Sequence, residues 1–311
     1  MNKKREQIST SNYRSSDRAD SLLFSWGKKI AGKVWNYVEV LKPRETTLLV
    51  FIGLCAAIVA VGGFPSSGRL LLTLAAITLG SGGVNGLTNY IDREVDARMQ
   101  RTRHRSLPSR RIDPPEKALF FTIALVAVAL GLAWFLHPLC FVFGLIGTLA
   151  AVVKRKTVLC PFLGAISGCA PVLIAWFAFK PEFELPLLFL CLLIWIWIPL
   201  HVWSVMLANR SDYVKAGVSY FPLSKEIREA VKVLFLLSLP LLAASIAIYF
   251  SGDLGLLYLV VAALLGILMV YASSHLLISS ASHDAWKVYK LSAFPYLGLI
   301  FLAMSLDSWL I

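Results

Sequence analysis

Residues 185–206 read LPLLFLCLLIWIWIPLHVWSVM, with no Asp, Glu, Lys or Arg among them. A helix needs about 20 apolar residues to cross the hydrocarbon core of a bilayer, and this run supplies them. Eight further runs of the same kind lie outward from it, at about 46–64, 69–91, 118–136, 139–154 and 158–178 on one side and 232–250, 254–278 and 289–310 on the other. Pro161, Gly164, Gly168 and Pro171 interrupt the pattern of the fifth. In lipid every backbone N–H and C=O must find its partner inside the protein, so such runs fold as helices that pack on one another. The fold class read from the sequence is all-α: a polytopic transmembrane bundle of about nine helices around a central cavity open to the cytoplasmic side. Bulk composition agrees. The 311 residues are 58% hydrophobic and 15% charged, with a mean hydropathy of +0.71, against about 25% charged residues in soluble domains.

The net charge of +12 is distributed in a pattern. The connections after spans one, three, five and seven hold only Arg69 and Lys180. The others are basic: the N-terminal tail, the loop with Arg93, Arg98, Arg101, Arg103, Arg105, Arg110, Arg111 and Lys117, the cluster Lys154, Arg155 and Lys156, the loop with Arg210, Lys215, Lys225 and Arg228, and Lys287 with Lys290. By the positive-inside rule these segments face the cytoplasm. The expectation is a multi-pass protein of the cell (inner) membrane with its N-terminus inside. The positive charge then orients the chain and meets anionic headgroups or an anionic substrate, and nucleic acid is not among the expected partners. Residues 1–40 read as a polar basic tail, partly disordered, with a short interfacial amphipathic helix from Trp26 to Val40, and residues 41–311 as the transmembrane domain. The five cysteines lie in or beside apolar runs without a CxxC pair, and read as small packing residues.

The second span runs into residues 89–105, NYIDREVDARMQRTRHR. Asn89, Asp92 and Asp96 succeed one another at helical spacing and project from one face if the helix continues. Two carboxylates so placed repel unless a cation lies between them, and an oxygen-only set suits Mg²⁺, which keeps positions for water or phosphate. From Leu70 to Asp92 a helix rises roughly 33 Å at about 1.5 Å per residue, which sets the carboxylates at the membrane boundary. At mid-bilayer each would cost about 2.5–3.5 kcal/mol. The arginines that follow can fork onto phosphate oxygens. A solvated, topology-fixing loop accounts for the same residues equally well on spacing alone. Upstream, Gly80, Gly82, Gly83 and Gly86 signal close helix packing or room for a bulky apolar substrate, with Asn85 facing that space.

A second constellation follows the sixth span: His201 and Trp203 in PLHVW (199–203), then Asp212, Tyr213 and Lys215 in DYVKAGV (212–218). Asp212 reads as a further metal ligand or as a helix cap, Lys215 as a phosphate partner, and His201 as a packing residue or a contact to an acidic or metal-bearing substrate. Lys154 and its neighbours read as topology or as another clamp on phosphate. His137 and His275 have no partner in sequence and read as packing residues.

With these motifs in view, and with LKPR at 41–44, the chain resembles the UbiA-type intramembrane prenyltransferase superfamily over roughly residues 37–305, and within it the haem branch more than the quinone branch. The resemblance implies transfer of a farnesyl group from farnesyl diphosphate to haem b. It implies Mg²⁺ on Asn89, Asp92, Asp96 and Asp212, and catalytic roles for Asp92, Asp96, Arg101 and Lys215. Substrate contacts implied are Arg44, Asn85, Arg105, Lys154, His201, Trp203 and Tyr213. Two other readings stand beside it: the same chemistry on an aromatic acceptor of quinone synthesis, and a membrane transporter. A transporter calls for charged residues at mid-membrane and paired half-helices, which the sequence scarcely offers.

Overall fold

The computed structural model of the protein describes residues 30–153, 157, 159–252 and 254–310. The N-terminal tail before residue 30 and the cluster Lys154, Arg155 and Lys156 lie outside the described residues. Helix α1 covers 30–40. It is followed by α2 (Pro43–Val61), α3 (Ser67–Arg98), α4 (Glu116–Leu136), α5 (Pro138–Val152), α6 (Cys160–Phe179) and α7 (Leu185–Ala208). Then come the short α8 (Arg210–Lys215), α9 (Ile227–Ser251), α10 (Leu256–Ser279), α11 (Ser282–Leu291) and α12 (Leu297–Leu310). A π-helical turn, Ser292–Tyr296, joins α11 to α12. The described residues contain no strand.

Among the described residues, eight helical stretches are long and apolar enough to cross a membrane, α11 through α12 counting as one. The ninth expected span is α5, with 15 residues. At about 1.5 Å per residue it is some 22 Å long, short of the ~30 Å hydrocarbon core. The chain is therefore a multi-pass α-helical membrane protein. Its lipid-facing side chains are the large apolar ones that a soluble protein would bury, such as Phe135, Phe250, Leu264 and Ile278.

Small residues set the spacing of the helices. At Gly83 a Cβ would come 3.0 Å from the Thr122 carbonyl oxygen and 3.1 Å from the Val126 nitrogen, and at Gly86 it would collide with the Thr122 side chain. Only hydrogen fits there, so α3 lies directly against α4. Gly83 and Gly86 serve packing, while Gly80 opens onto a cavity. All five cysteines are free, three of them buried. His137 caps α5 by accepting the Leu139 N–H on Nδ1 at 3.2 Å. His275, partnerless in sequence, has a partner nine residues on, where its Nδ1 lies 3.3 Å from Asp284 Oδ2.

Candidate active site

A cavity of about 340 Å³ lies among α2 to α7. Its depth is apolar, lined by Ile52, Ala76, Ile77, Ala133, Ile174 and Ile194, and its polar lining includes Lys42, Glu45, Asn85, Thr88 and His201. Ser81, Asn85 and Thr88 of α3 line it, and Asp92 and Asp96 continue the series at spacings of three or four residues along the same helix. One face of α3 thus runs from the cavity wall to the two carboxylates. The helix extends to Arg98, past the expected end of the span, and this extension keeps Asn89, Asp92 and Asp96 in helical register. All three are buried, with Asp92 6% and Asp96 4% exposed.

The segment before α2 orients the amides of this face. Asn89 Nδ2 donates to the Val40 carbonyl oxygen at 2.7 Å. Because a carbonyl only accepts, the NH₂ must face Val40, and Asn89 Oδ1 is turned elsewhere. Thr46 donates its hydroxyl hydrogen to the Leu41 carbonyl at 2.8 Å, so its oxygen accepts from Asn85 Nδ2 at 3.0 Å. The Asn85 side-chain oxygen is likewise left for other contacts. Between Val40 and Thr46, Lys42 turns the chain with φ 50° and joins the cavity lining. Residues 39–46 therefore fix which way two amides point. That function was invisible in sequence, where only LKPR marks the stretch. Glu39 reinforces the arrangement: it bonds the Ser106 hydroxyl and accepts from Arg111 Nη2 at 2.5 Å, tying α1 to the loop after α3.

That loop carries the arginines. Arg105 Nη1 stands 3.5 Å from Asp96 Oδ2. Arg101 Nη2 lies 3.1 Å from the Tyr213 hydroxyl, and its Nε is buried with no hydrogen-bond partner among the described residues. A buried guanidinium N–H without an acceptor is costly, and an anionic oxygen would satisfy it. Asp212 was expected among the metal ligands. In the structure it holds this loop: Oδ1 accepts the Gln100 N–H at 2.7 Å and Oδ2 the Arg101 N–H at 3.1 Å.

The other expected residues are dispersed. Tyr213 is buried beside Arg101. Lys215 and Arg44 are exposed and do not line the cavity, and Lys154 lies outside the described residues. Trp203 does not line the cavity either. It is buried in edge contact with Phe221 at 4.6 Å and Phe162 at 6.1 Å. His201 does line it. Helix α7 continues seven residues beyond His201 to Ala208, or about 10 Å, so His201 sits deeper than its motif suggested. Its ring stacks on Trp197 and packs at a tilt on Tyr289, each at 4.8 Å, and its Nδ1 is 2.9 Å from Ser292 Oγ. Sequence reasoning overlooked Trp197, Tyr289 and Ser292. Pro295, inside the last apolar run, was the available signal of a helix break there.

The described residues hold no cluster of three His, Cys, Asp or Glu side chains suited to a metal. Asn89, Asp92 and Asp96 nonetheless fit a hard cation that takes few protein ligands: they are oxygen donors on one helix face, the carboxylates are buried, and the Asn89 amide is held with Oδ1 turned from Val40.

Fold and site together define a polytopic helical membrane protein with an apolar cavity and a buried, arginine-flanked acidic rim. The chain belongs to the UbiA prenyltransferase family, whose model matches residues 49–298. It is 37% identical over 281 residues to the protoheme IX farnesyltransferase of Desulforudis audaxviator, covering 88% of each chain. To that of Thermoplasma volcanium it is 33% identical over 289 residues, covering 90% of this chain and 100% of the relative. Among solved structures, one of digeranylgeranylglyceryl phosphate synthase superposes with a TM-score of 0.75 at 19% identity, over 90% of this chain and 100% of the other. A UbiA homolog from Archaeoglobus fulgidus bound to GPP and Mg²⁺ superposes with a TM-score of 0.61 at 15% identity, over 87% and 99%.

Proposed function

We propose that this chain is an intramembrane prenyltransferase that moves a farnesyl group from farnesyl diphosphate to haem b. The observation that carries the proposal is the single face of α3, which lines a largely apolar cavity through Ser81, Asn85 and Thr88 and ends in buried Asp92 and Asp96, with Arg105 at Asp96. A substrate with an apolar chain and a diphosphate head has these two halves. Relatives named protoheme IX farnesyltransferase support haem b as acceptor.

Asn89, Asp92 and Asp96 would hold Mg²⁺, which when bound neutralises the charge of the diphosphate. Arg101, fixed by the Asp212 clasp and the Tyr213 hydroxyl, directs its unpaired Nε to a diphosphate oxygen and stabilises the negative charge that grows as the C1–O bond breaks. Arg105 adds a second guanidinium at Asp96. Lys215 adds positive charge after α7 and Arg44 at the start of α2, and Lys154 is a further candidate phosphate partner from the sequence. The diphosphate leaves with the bonding pair. The apolar walls from Ile52 to Ile174 keep water from the allylic cation. A vinyl group of haem b forms the new bond to C1, and water then adds to the resulting cation and loses a proton. The charge alternation along the sequence supports a cytoplasmic N-terminus, a cell-membrane location and a cavity mouth facing the cytoplasm.

The test is release of diphosphate from farnesyl diphosphate by purified protein in nanodiscs. Release should require both a divalent cation and haem b. Release that persists in a chelator, or from Asp92→Ala or Asp96→Ala protein of normal helicity, would remove the metal-site argument.

A further inference from the structure

The surroundings of His201 fix more than its position. The Ser292 hydroxyl has one hydrogen, and it goes to the Tyr289 carbonyl oxygen at 2.9 Å. With the hydroxyl hydrogen so placed, the 2.9 Å contact between Ser292 Oγ and His201 Nδ1 is made by a hydrogen on Nδ1. The two contacts together favour the tautomer in which Nδ1 donates and Nε2 keeps its lone pair. Nε2 has no hydrogen-bond partner among the described residues.

The ring plane is fixed as well. Trp197 stacks on it with 14° between the planes, and Tyr289 packs on it at 31°. Trp197 is itself locked, because its Nε1–H donates to the Ser292 carbonyl oxygen at 2.5 Å. The chain departs from regular helix beside that oxygen. Pro295 lies in the π turn, and Ala293 leaves the helical region with ψ −134°. One residue, Ser292, thus holds His201 with its hydroxyl and Trp197 with its carbonyl, and it is fully buried. With Trp197 and Tyr289 packed on the ring and Nδ1 engaged, His201 lines the cavity with Nε2 unpartnered among the described residues.

An imidazole nitrogen with a lone pair and no partner, on a residue that lines the cavity, is open to a ligand. An imidazole whose other nitrogen donates to an oxygen is also the arrangement of metal-ligating histidines. We infer that His201 Nε2 ligates the iron of the acceptor porphyrin, with Ser292 as the residue that positions it. The inference rests on the haem-acceptor reading above. Iron held at a fixed point places the porphyrin edge, and with it the reacting vinyl group, at a set depth in the cavity.

The experiment is a titration of purified protein in nanodiscs with ferric haem b, without prenyl diphosphate, followed by Soret absorption and electron paramagnetic resonance. The wild-type chain should bind haem with the signature of a histidine-ligated iron. His201→Ala should lose that signature, bind about tenfold or more weakly, and recover the signature on addition of imidazole. Ser292→Ala should weaken binding about tenfold while keeping the ligated signature, and Ser292→Thr should restore the affinity. Circular dichroism and size exclusion confirm folding of each variant, and the imidazole rescue and the Ser292 pair give a reading independent of the His201 deletion. An unchanged spectrum and affinity in His201→Ala overturns the inference and leaves the acceptor reading standing. Absence of any haem binding by the wild-type chain overturns the acceptor reading and the inference together.

Discussion

Asp212→Ala separates two tasks that a carboxylate at this position can perform. In the structure both its oxygens accept backbone N–H groups, from Gln100 at 2.7 Å and Arg101 at 3.1 Å. Hydrogen bonds to charged groups contribute about 1.5–3 kcal/mol each when well shielded, and partial exposure here reduces that to about 1 kcal/mol each, or about 2 kcal/mol for the pair. If that energy serves to hold Arg101 against the diphosphate, its loss appears in the transition state as about a 30-fold drop in kcat/KM. The assay is steady-state product formation in nanodiscs at saturating haem b, with farnesyl diphosphate and Mg²⁺ varied separately. The clasp reading predicts the drop together with an unchanged half-saturation for Mg²⁺. It also predicts that Arg101→Ala adds little in the Asp212→Ala background, because the two substitutions remove one function. A half-saturation for Mg²⁺ raised tenfold, with additive losses in the double variant, would refute the reasoning and return Asp212 to the metal.

Other outcomes follow from the same geometry. Asp92→Ala and Asp96→Ala should each abolish turnover while circular dichroism and membrane insertion stay normal, and retained activity in either would contradict the site. Ala133→Phe places a ring at the apolar depth of the cavity, lined also by Ala76 and Ile174; turnover of farnesyl diphosphate should fall well below that of the shorter geranyl diphosphate, and equal losses for both would argue against the chain lying there. Gly83→Ala forces a Cβ to within 3.0 Å of the Thr122 carbonyl oxygen and should cost about 2 kcal/mol, read as a thermal midpoint in detergent lowered by several degrees; no shift would contradict the α3–α4 packing.

The helices were legible in the sequence because membrane spans are defined by length and apolarity, which are local properties. The run at 185–206 became α7, extended by two residues to Ala208. The carboxylate face of α3 was legible for a similar reason, since the spacing of Asn89, Asp92 and Asp96 has one meaning on a helix. What the sequence did not disclose depends on partners far along the chain. The Asp212 clasp joins residues 112 positions apart, and the orientation of Asn89 is set by Val40, 49 positions away. Ser292 had no motif at all. Its role arises because the helix breaks where Trp197 and His201, on another helix, need an acceptor. Trp203, two residues from His201, projects from a different side of α7 and meets Phe221 instead of the cavity, because adjacent helical positions diverge by about 100° each at 3.6 residues per turn.

The central claim is the identity of the group transferred and of its acceptor. Purified protein in nanodiscs, given farnesyl diphosphate, Mg²⁺ and an equimolar mixture of haem b and hydroxybenzoate, should yield one new product by mass spectrometry: haem carrying a farnesyl group and the elements of water. Farnesylated hydroxybenzoate with unmodified haem would contradict the account.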